Sequence, residues 1–131
     1  MERIGYIVLI FLMLAWAVVI VVQSKISSAV KRSYRELGSG GEIYYGKALS
    51  VNPFAPQAVV VVLCSLEGGI LDCRKVYHTG LRDRPAPVKW EALTGQAVSA
   101  LSPETLSSDD VLRKALYSLK KNYQAFSAKF H

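Results

Sequence analysis

The chain has 131 residues, 16 of them basic and 10 acidic, giving a formal net charge of +6 with 51% hydrophobic and 20% charged residues. One uncharged run, Ile4 to Val22, accounts for the high apolar fraction; the roughly 109 residues after it have an ordinary globular balance and suffice for one small domain. A disordered polyelectrolyte, a disulfide scaffold (the only cysteines are Cys64 and Cys73) and a multidomain enzyme are excluded.

As a helix, Ile4–Val22 is roughly 28 Å long, which matches a hydrocarbon core of about 30 Å. A cleaved signal peptide is the rival, but the apolar stretch exceeds the usual h-region and no Ala-x-Ala-like site follows it. Ahead of the run stand Glu2 and Arg3; behind it come Lys25, Lys31, Arg32 and Arg35. That asymmetry predicts a single-pass cell-membrane protein with its N-terminus outside and its carboxyl side in the cytoplasm. The same four cations are a candidate surface for anionic headgroups. Ile26, Val30, Tyr34 and Leu37 form one helical stripe, so the helix is expected to continue to residue 37. Residues 38–41, Gly-Ser-Gly-Gly, are expected to end it and to act as a hinge between anchor (1–37) and domain (42–131).

In the domain, 42–48 reads as a strand whose Gly46 marks a bulge or a close backbone approach. Residues 52–56 form a loop. The segment 57–66, β-branched and apolar on both faces, is a central strand. Gly68-Gly69 is the expected two-residue turn and 70–77 the returning strand. That register pairs Cys64 with Cys73 and Leu66 with Leu71. Val60, Val62, Cys64, Leu66, Leu71, Cys73 and Tyr77 then share a core face broken only by Lys75. The geometry allows a Cys64–Cys73 disulfide, while a buried cytosolic pair stays reduced. The proline-containing stretch 78–90 is an exposed loop running into a short strand at 88–90, 91–95 a helical turn, and 97–101 a weak further element. Last comes an amphipathic helix capped by Ser107 or Ser108, with Asp109 and Asp110 in its first turn and Val111, Leu112, Ala115, Leu116, Leu119, Tyr123 and Phe126 on its apolar face. The expected class is α+β: a transmembrane helix, then an antiparallel sheet built on the 57–77 hairpin, with a C-terminal helix.

No catalytic constellation is legible. His78 and His131 have no metal-ligand spacing to a cysteine or carboxylate, the cysteines are not C-x-x-C, and no nucleophile elbow occurs. The expectation is a non-enzyme without cofactor, metal or small-molecule substrate. A pI near 9.4 invites nucleic-acid binding, but no helix-turn-helix can be traced.

Several positions carry a likeness. Gly41 and Gly46 bracket a short strand, the valine-rich strand and hairpin follow, and Gly80-Leu81 runs without a gap into Pro87, Lys89 and Ala92-Leu93-Thr94-Gly95. In these the chain resembles the glucitol operon activator family, small bacterial proteins with an N-terminal hydrophobic segment that activate transcription of sugar-alcohol uptake operons. After the glycine–leucine pair the family has threonine, an apolar residue and an aromatic, where this chain has Arg82-Asp83-Arg84-Pro85. The resemblance implies a membrane-anchored transcriptional activator of a glucitol- or sorbitol-type operon. An activator tied to a bilayer is expected to act by capturing a soluble regulator or a transport-system protein. Leu81, Arg82, Arg84 and Trp90 form the candidate partner surface, arginine and tryptophan being frequent interface anchors; a core position under the loop is the alternative for Trp90. A directly DNA-binding activator and a non-catalytic assembly subunit of a membrane complex are the alternatives.

Overall fold

The computed structural model describes residues 2–38, 40–50, 52, 54–79 and 85–130, with side chains to Phe126. Along the chain come α1 (Glu2–Leu37), β1 (Glu42–Ala48), β2 (Gln57–Cys64), β3 (Ile70–His78), β4 (Val88–Lys89), α2 (Pro103–Leu106) and α3 (Asp110–Phe130). Single 3-10 turns occupy Glu91–Leu93 and Val98–Ala100. The four strands form one antiparallel meander in the order β1-β2-β3-β4.

Every residue of β2 is buried, so this strand needs cover on both faces. On one face Ala58, Val60, Val62, Cys64, Ile70 and Cys73 meet Leu112, Ala115, Leu116 and Leu119 of α3, with Trp90, Leu93, Val98 and Leu101 closing the cluster. On the other, Val59, Val61, Leu63 and Val76 pack beneath Val22, Ile26, Ala29 and Leu37 of α1. The result is helix, sheet, helix in three layers. The α1 stripe expected from the sequence thus lies on the sheet. Residues 38–41, expected to be a hinge, include the point where the chain turns back from α1 into β1, with Gly38 at φ +77°. The half of α1 beyond Val22 belongs to the domain because, among the described residues, it is the element that covers that face of β2.

Gly46 is a close approach and not a bulge, since β1 pairs with β2 without interruption from Glu42 to Ala48. A Cβ at Gly46 would collide with the Ala115 carbonyl oxygen and the Leu119 amide nitrogen and would lie 2.6 Å from Leu119 Cβ. The backbone of α3 rests directly on β1. Nearby, the Lys47 amide donates to Ser118 Oγ (3.2 Å) and Asn122 Nδ2 donates to the Tyr45 carbonyl (2.8 Å). These bonds occupy part of the outward edge of β1 and blunt it against strand addition.

The hairpin register differs from the expected one. The loop has three residues, Leu66-Glu67-Gly68, closed by the Ser65 amide on the Gly69 carbonyl (2.8 Å), with Gly68 alone in the left-handed region at φ +87°. Cys64 therefore pairs with Ile70, and a bulge at Leu71 restores the alternation so that Val62 faces Cys73. Leu66 and Leu71, expected in the core, are 96% and 50% exposed; Ile70 takes their place. Cys64 and Cys73 share a face without being direct partners. Helix α3 is capped by Asp109 and not by Ser107 or Ser108: Asp109 Oδ1 accepts from the amides of Val111 (2.8 Å) and Leu112 (3.2 Å). Ser107 Oγ in turn accepts from the Asp109 amide (3.0 Å).

Candidate functional site

Helix α1 passes through two environments. Residues 2–17 are exposed all round, Val18 and Val19 are half-buried, and Val22 is the first residue buried against the sheet. The window that makes this helix long and apolar enough to cross a membrane has none of its residues buried. Gln23, the first polar residue after the run, reaches the sheet. Its Nε2 donates to Gln57 Oε1 (3.0 Å) and to the Ser50 carbonyl (3.4 Å), and the Ser50 amide donates to the same Gln57 oxygen (3.1 Å). Gln57 opens β2 and His78, its cross-strand partner, closes β3; both are fully buried. Gln57 Nε2 and both His78 ring nitrogens have no hydrogen-bond partner among the described residues.

These contacts orient the molecule relative to the exposed span. The end of β1, the start of β2 and the end of β3 lie beside Gln23, whereas the 66–68 hairpin tip lies at the far end of the sheet. Between Gln23 and Leu37 the helix rises about 21 Å. At the far end Arg74 ties α1 to β3: Nε donates to Glu36 Oε2 (3.2 Å) and Nη1 to Asp72 Oδ1 (2.7 Å). Burial alone would raise the Asp72 carboxyl. The hydrogen bonds from Arg74 and the Cys73 amide, with the charges of Arg74 and Lys89, outweigh it and hold the group below the usual carboxylate range.

The four cations expected at the membrane surface lie off the buried stripe of α1. Lys31, Arg32 and Arg35 are exposed and Lys25 is half-buried. Lys25 and Arg32, two turns apart, line a shallow cleft of about 330 Å³ with Ser24, Ser28, Ala29 and Pro85. Of the expected partner surface, Leu81, Arg82 and Arg84 fall outside the described residues. Trp90 is not an interface anchor: only 9% of it is exposed and it packs in the α3-side core. Its amide donates to the Cys73 carbonyl (3.2 Å), and Lys75 Nζ sits 4.8 Å from the ring centroid. Lys75, the one charge on that core face, is thus accommodated by an aromatic ring.

Of the positions that carry the family likeness, the described ones are mostly scaffold. Gly46 seats α3. A Cβ at Gly41 would strike the Cys64 carbonyl. Gly95, with φ +90°, donates to the Ile70 carbonyl (2.8 Å), and Thr94 follows the 3-10 turn with its amide on the Glu91 carbonyl (3.0 Å). Lys89 pairs with Arg74 in β4, and Pro87 precedes that strand. Gly80 and Leu81 lie outside the described residues.

Burial pushes the Cys64 thiol up to about 11 and, with Asp72 adding to it, the Cys73 thiol up to about 12. Both thiols are free. Such groups pack as small hydrophobes and are poor nucleophiles at neutral pH. The Tyr77 hydroxyl donates to Asp109 Oδ2 (2.9 Å). Burial works to raise Asp109, but that bond, the Leu112 and Val111 amides and the Arg113 charge hold it below the usual range, as suits a helix cap. Among the described residues no three His, Cys, Asp or Glu side chains are grouped as metal ligands.

Sequence reasoning missed the Gln23–Ser50–Gln57 link and the Glu36–Arg74–Asp72 bridge. Both join segments 27 or more residues apart, and no local pattern announces such contacts. Comparison with family models, curated proteins and solved structures finds no match to the chain.

Proposed function

We propose that the chain is a single-pass membrane protein whose cytoplasmic domain binds other proteins and performs no catalysis. Its role is to activate a sugar-alcohol uptake operon by holding a soluble transcription regulator, or a component of the transport system, at the membrane. The observation that carries the tethered part is the change of environment along α1: apolar and exposed from Ile4 to Ala17, half-buried at Val18 and Val19, and packed on the sheet through an apolar stripe from Val22. A water-exposed face of that size has a large free-energy cost, and a bilayer removes it. The excess of cations after the span supports a cytoplasmic domain. The likeness in the 41–46 and 80–95 segments supports the operon role. Capture shifts a regulator toward its active state only where the domain prefers that state.

A reporter active only in the cytoplasm, fused after His131, tests the tether. Activity in the membrane fraction is the expected result; a C-terminus outside the cytoplasm would remove a direct role in transcription. The partner surface is tested separately by replacing Arg82 and Arg84 together with alanine. Weaker recovery of sugar-operon regulators on the tagged full-length protein is expected, and unchanged recovery refutes that surface.

A further inference from the structure

Segment 49–56 connects β1 to β2 at the end of the sheet beside Gln23. It is held there by the Gln23 side chain on the Ser50 carbonyl and by the Gln57 oxygen on the Ser50 amide. Internal bonds brace it: Asn52 Oδ1 accepts from the Phe54 amide (3.0 Å), the Asn52 carbonyl accepts from the Ala55 amide (3.2 Å), and Ser50 Oγ accepts from the Asn52 amide (3.1 Å). Despite this bracing, two large apolar side chains among its described residues face outward, Leu49 43% and Phe54 65% exposed. Elsewhere in the domain Leu71, Val88 and Tyr117 are about half exposed, and Leu66, the most exposed of the described residues, is at the opposite end of the sheet. Lys47 lines a cleft with Gln23, Ile26 and Leu49, so a cation stands just inward of the apolar pair.

We propose that this segment is a second membrane contact, with Phe54 and Leu49 seated in the interfacial layer of the leaflet from which α1 emerges. The inference rests on the span assignment above and extends it. Its occupant is fixed by continuity, because the segment is bonded to the residue that immediately follows the apolar run and so lies at the same depth as the headgroups. Aromatic and aliphatic groups beneath a ring of lysines are the composition that favours this layer. Lys47 and Lys25 then stand at headgroup level, and an anionic surface attracts them. Two points of attachment, the span and the loop, fix the tilt of the sheet against the bilayer.

The test uses the full-length protein in phosphatidylcholine–phosphatidylglycerol vesicles, with an environment-sensitive fluorophore on a single introduced cysteine. Cys64 and Cys73 are buried and stay unlabelled in the folded protein. Phe54→Cys and, independently, Leu49→Cys are compared with Leu66→Cys at the far tip and Met13→Cys in the span. The expected result is blue-shifted emission at 54 and 49, quenched several-fold more by lipids with a nitroxide high on the acyl chain than emission at 66. Emission at 13 is expected to be quenched by a deep nitroxide. Labels at 54 and 49 that behave like 66, with 13 still quenched, overturn the loop contact alone. Shielding at 54 without nitroxide quenching also overturns it and points to a protein cover. Loss of quenching at 13 as well overturns the span and the loop contact together.

Discussion

Replacing Gly46 by alanine tests whether α3 is set by backbone contact or by its side chains. The added Cβ would lie 2.6 Å from Leu119 Cβ and closer still to the Ala115 carbonyl and the Leu119 amide, against ordinary contact at 3.4 Å or more. Two of these three atoms are helix backbone, so no rotamer change relieves the clash; α3 must withdraw by about 1 Å. A gap of that size forfeits a quarter to a half of the dispersion attraction of Leu112, Leu116 and Leu119. Overpacking of this kind costs about 1–3 kcal/mol, and the lower entropy of an unfolded alanine returns about 0.4–1 kcal/mol. Because the obstruction is backbone, the upper end applies, and we expect a net loss of about 2 kcal/mol. For a domain of this size that lowers Tm by roughly 10 °C. The melt is followed by Trp90 fluorescence in full-length protein with Trp16 replaced by phenylalanine. Gly40→Ala, where nothing lies within 4 Å of the new methyl, should leave Tm unchanged or slightly raised. A Gly46→Ala melt at or above the parent's would refute direct seating of α3 on β1.

Three further outcomes follow from the bonds described. Arg74→Ala should cost about 1–2 kcal/mol, reduced from the value for a buried charged bond because Glu36 is half exposed, and should speed amide exchange in the last turn of α1; unchanged exchange would mean that packing alone holds that turn. The carboxyls of Asp72 and Asp109 are depressed in the folded chain, so their stabilisation is complete above the unfolded value of about 3.9 and is lost as pH falls through the lower folded values. The paired Asp72→Asn and Asp109→Asn variant should therefore show a flatter fall of Tm on acidification, and a parallel fall would remove these groups as the cause. Cys64 and Cys73 should resist alkylation near neutral pH in the native protein and both react once it is unfolded without reductant; a mass consistent with a disulfide would contradict the buried, unpaired arrangement.

Where local pattern decides structure, the sequence was legible. The strand from Glu42 to Ala48, the start of β2, the β3 pairing partner and the apolar face of α3 follow from residue alternation and helical spacing, and Gly46 announced itself as a lone glycine in a strand. The register was harder, because two adjacent glycines fit either a two-residue or a three-residue loop. The structure takes the three-residue loop, with Gly68 at φ +87° and the Tyr123 hydroxyl so close that a Cβ at Gly68 would collide with it. The second face of β2 was legible but unused: a run of seven apolar residues, Ala58 to Cys64, requires two covers, and the α1 stripe beyond Val22 was an apolar surface left to provide the second. Trp90 was ambiguous for a chemical reason, since the same ring suits a core and an interface. The Gln23 and Arg74 links depend on which elements meet and have no trace in local spacing.

The continuity of α1 bears on how such a domain would work at a membrane. A glycine hinge would let the domain tumble and present every face in turn. A helix unbroken from Glu2 to Leu37, packed on the sheet through Val22, Ile26, Ala29 and Leu37 and clamped at its end by Arg74, holds one orientation. With α1 across a bilayer, the 49–56 segment would face it and the 66–68 tip would point away. Of the sheet edges, β1 is partly occupied by Asn122 and Ser118 of α3, and β4 has two residues. Strand addition is therefore a poor way for a partner to dock. A captured regulator would have to be recognised by side chains, on the outer face of α3 or on the loop before β4, and would be presented at a fixed distance from the membrane. Preorganisation of that kind lowers the entropy lost on binding, which favours a domain that acts by holding over one that acts by searching.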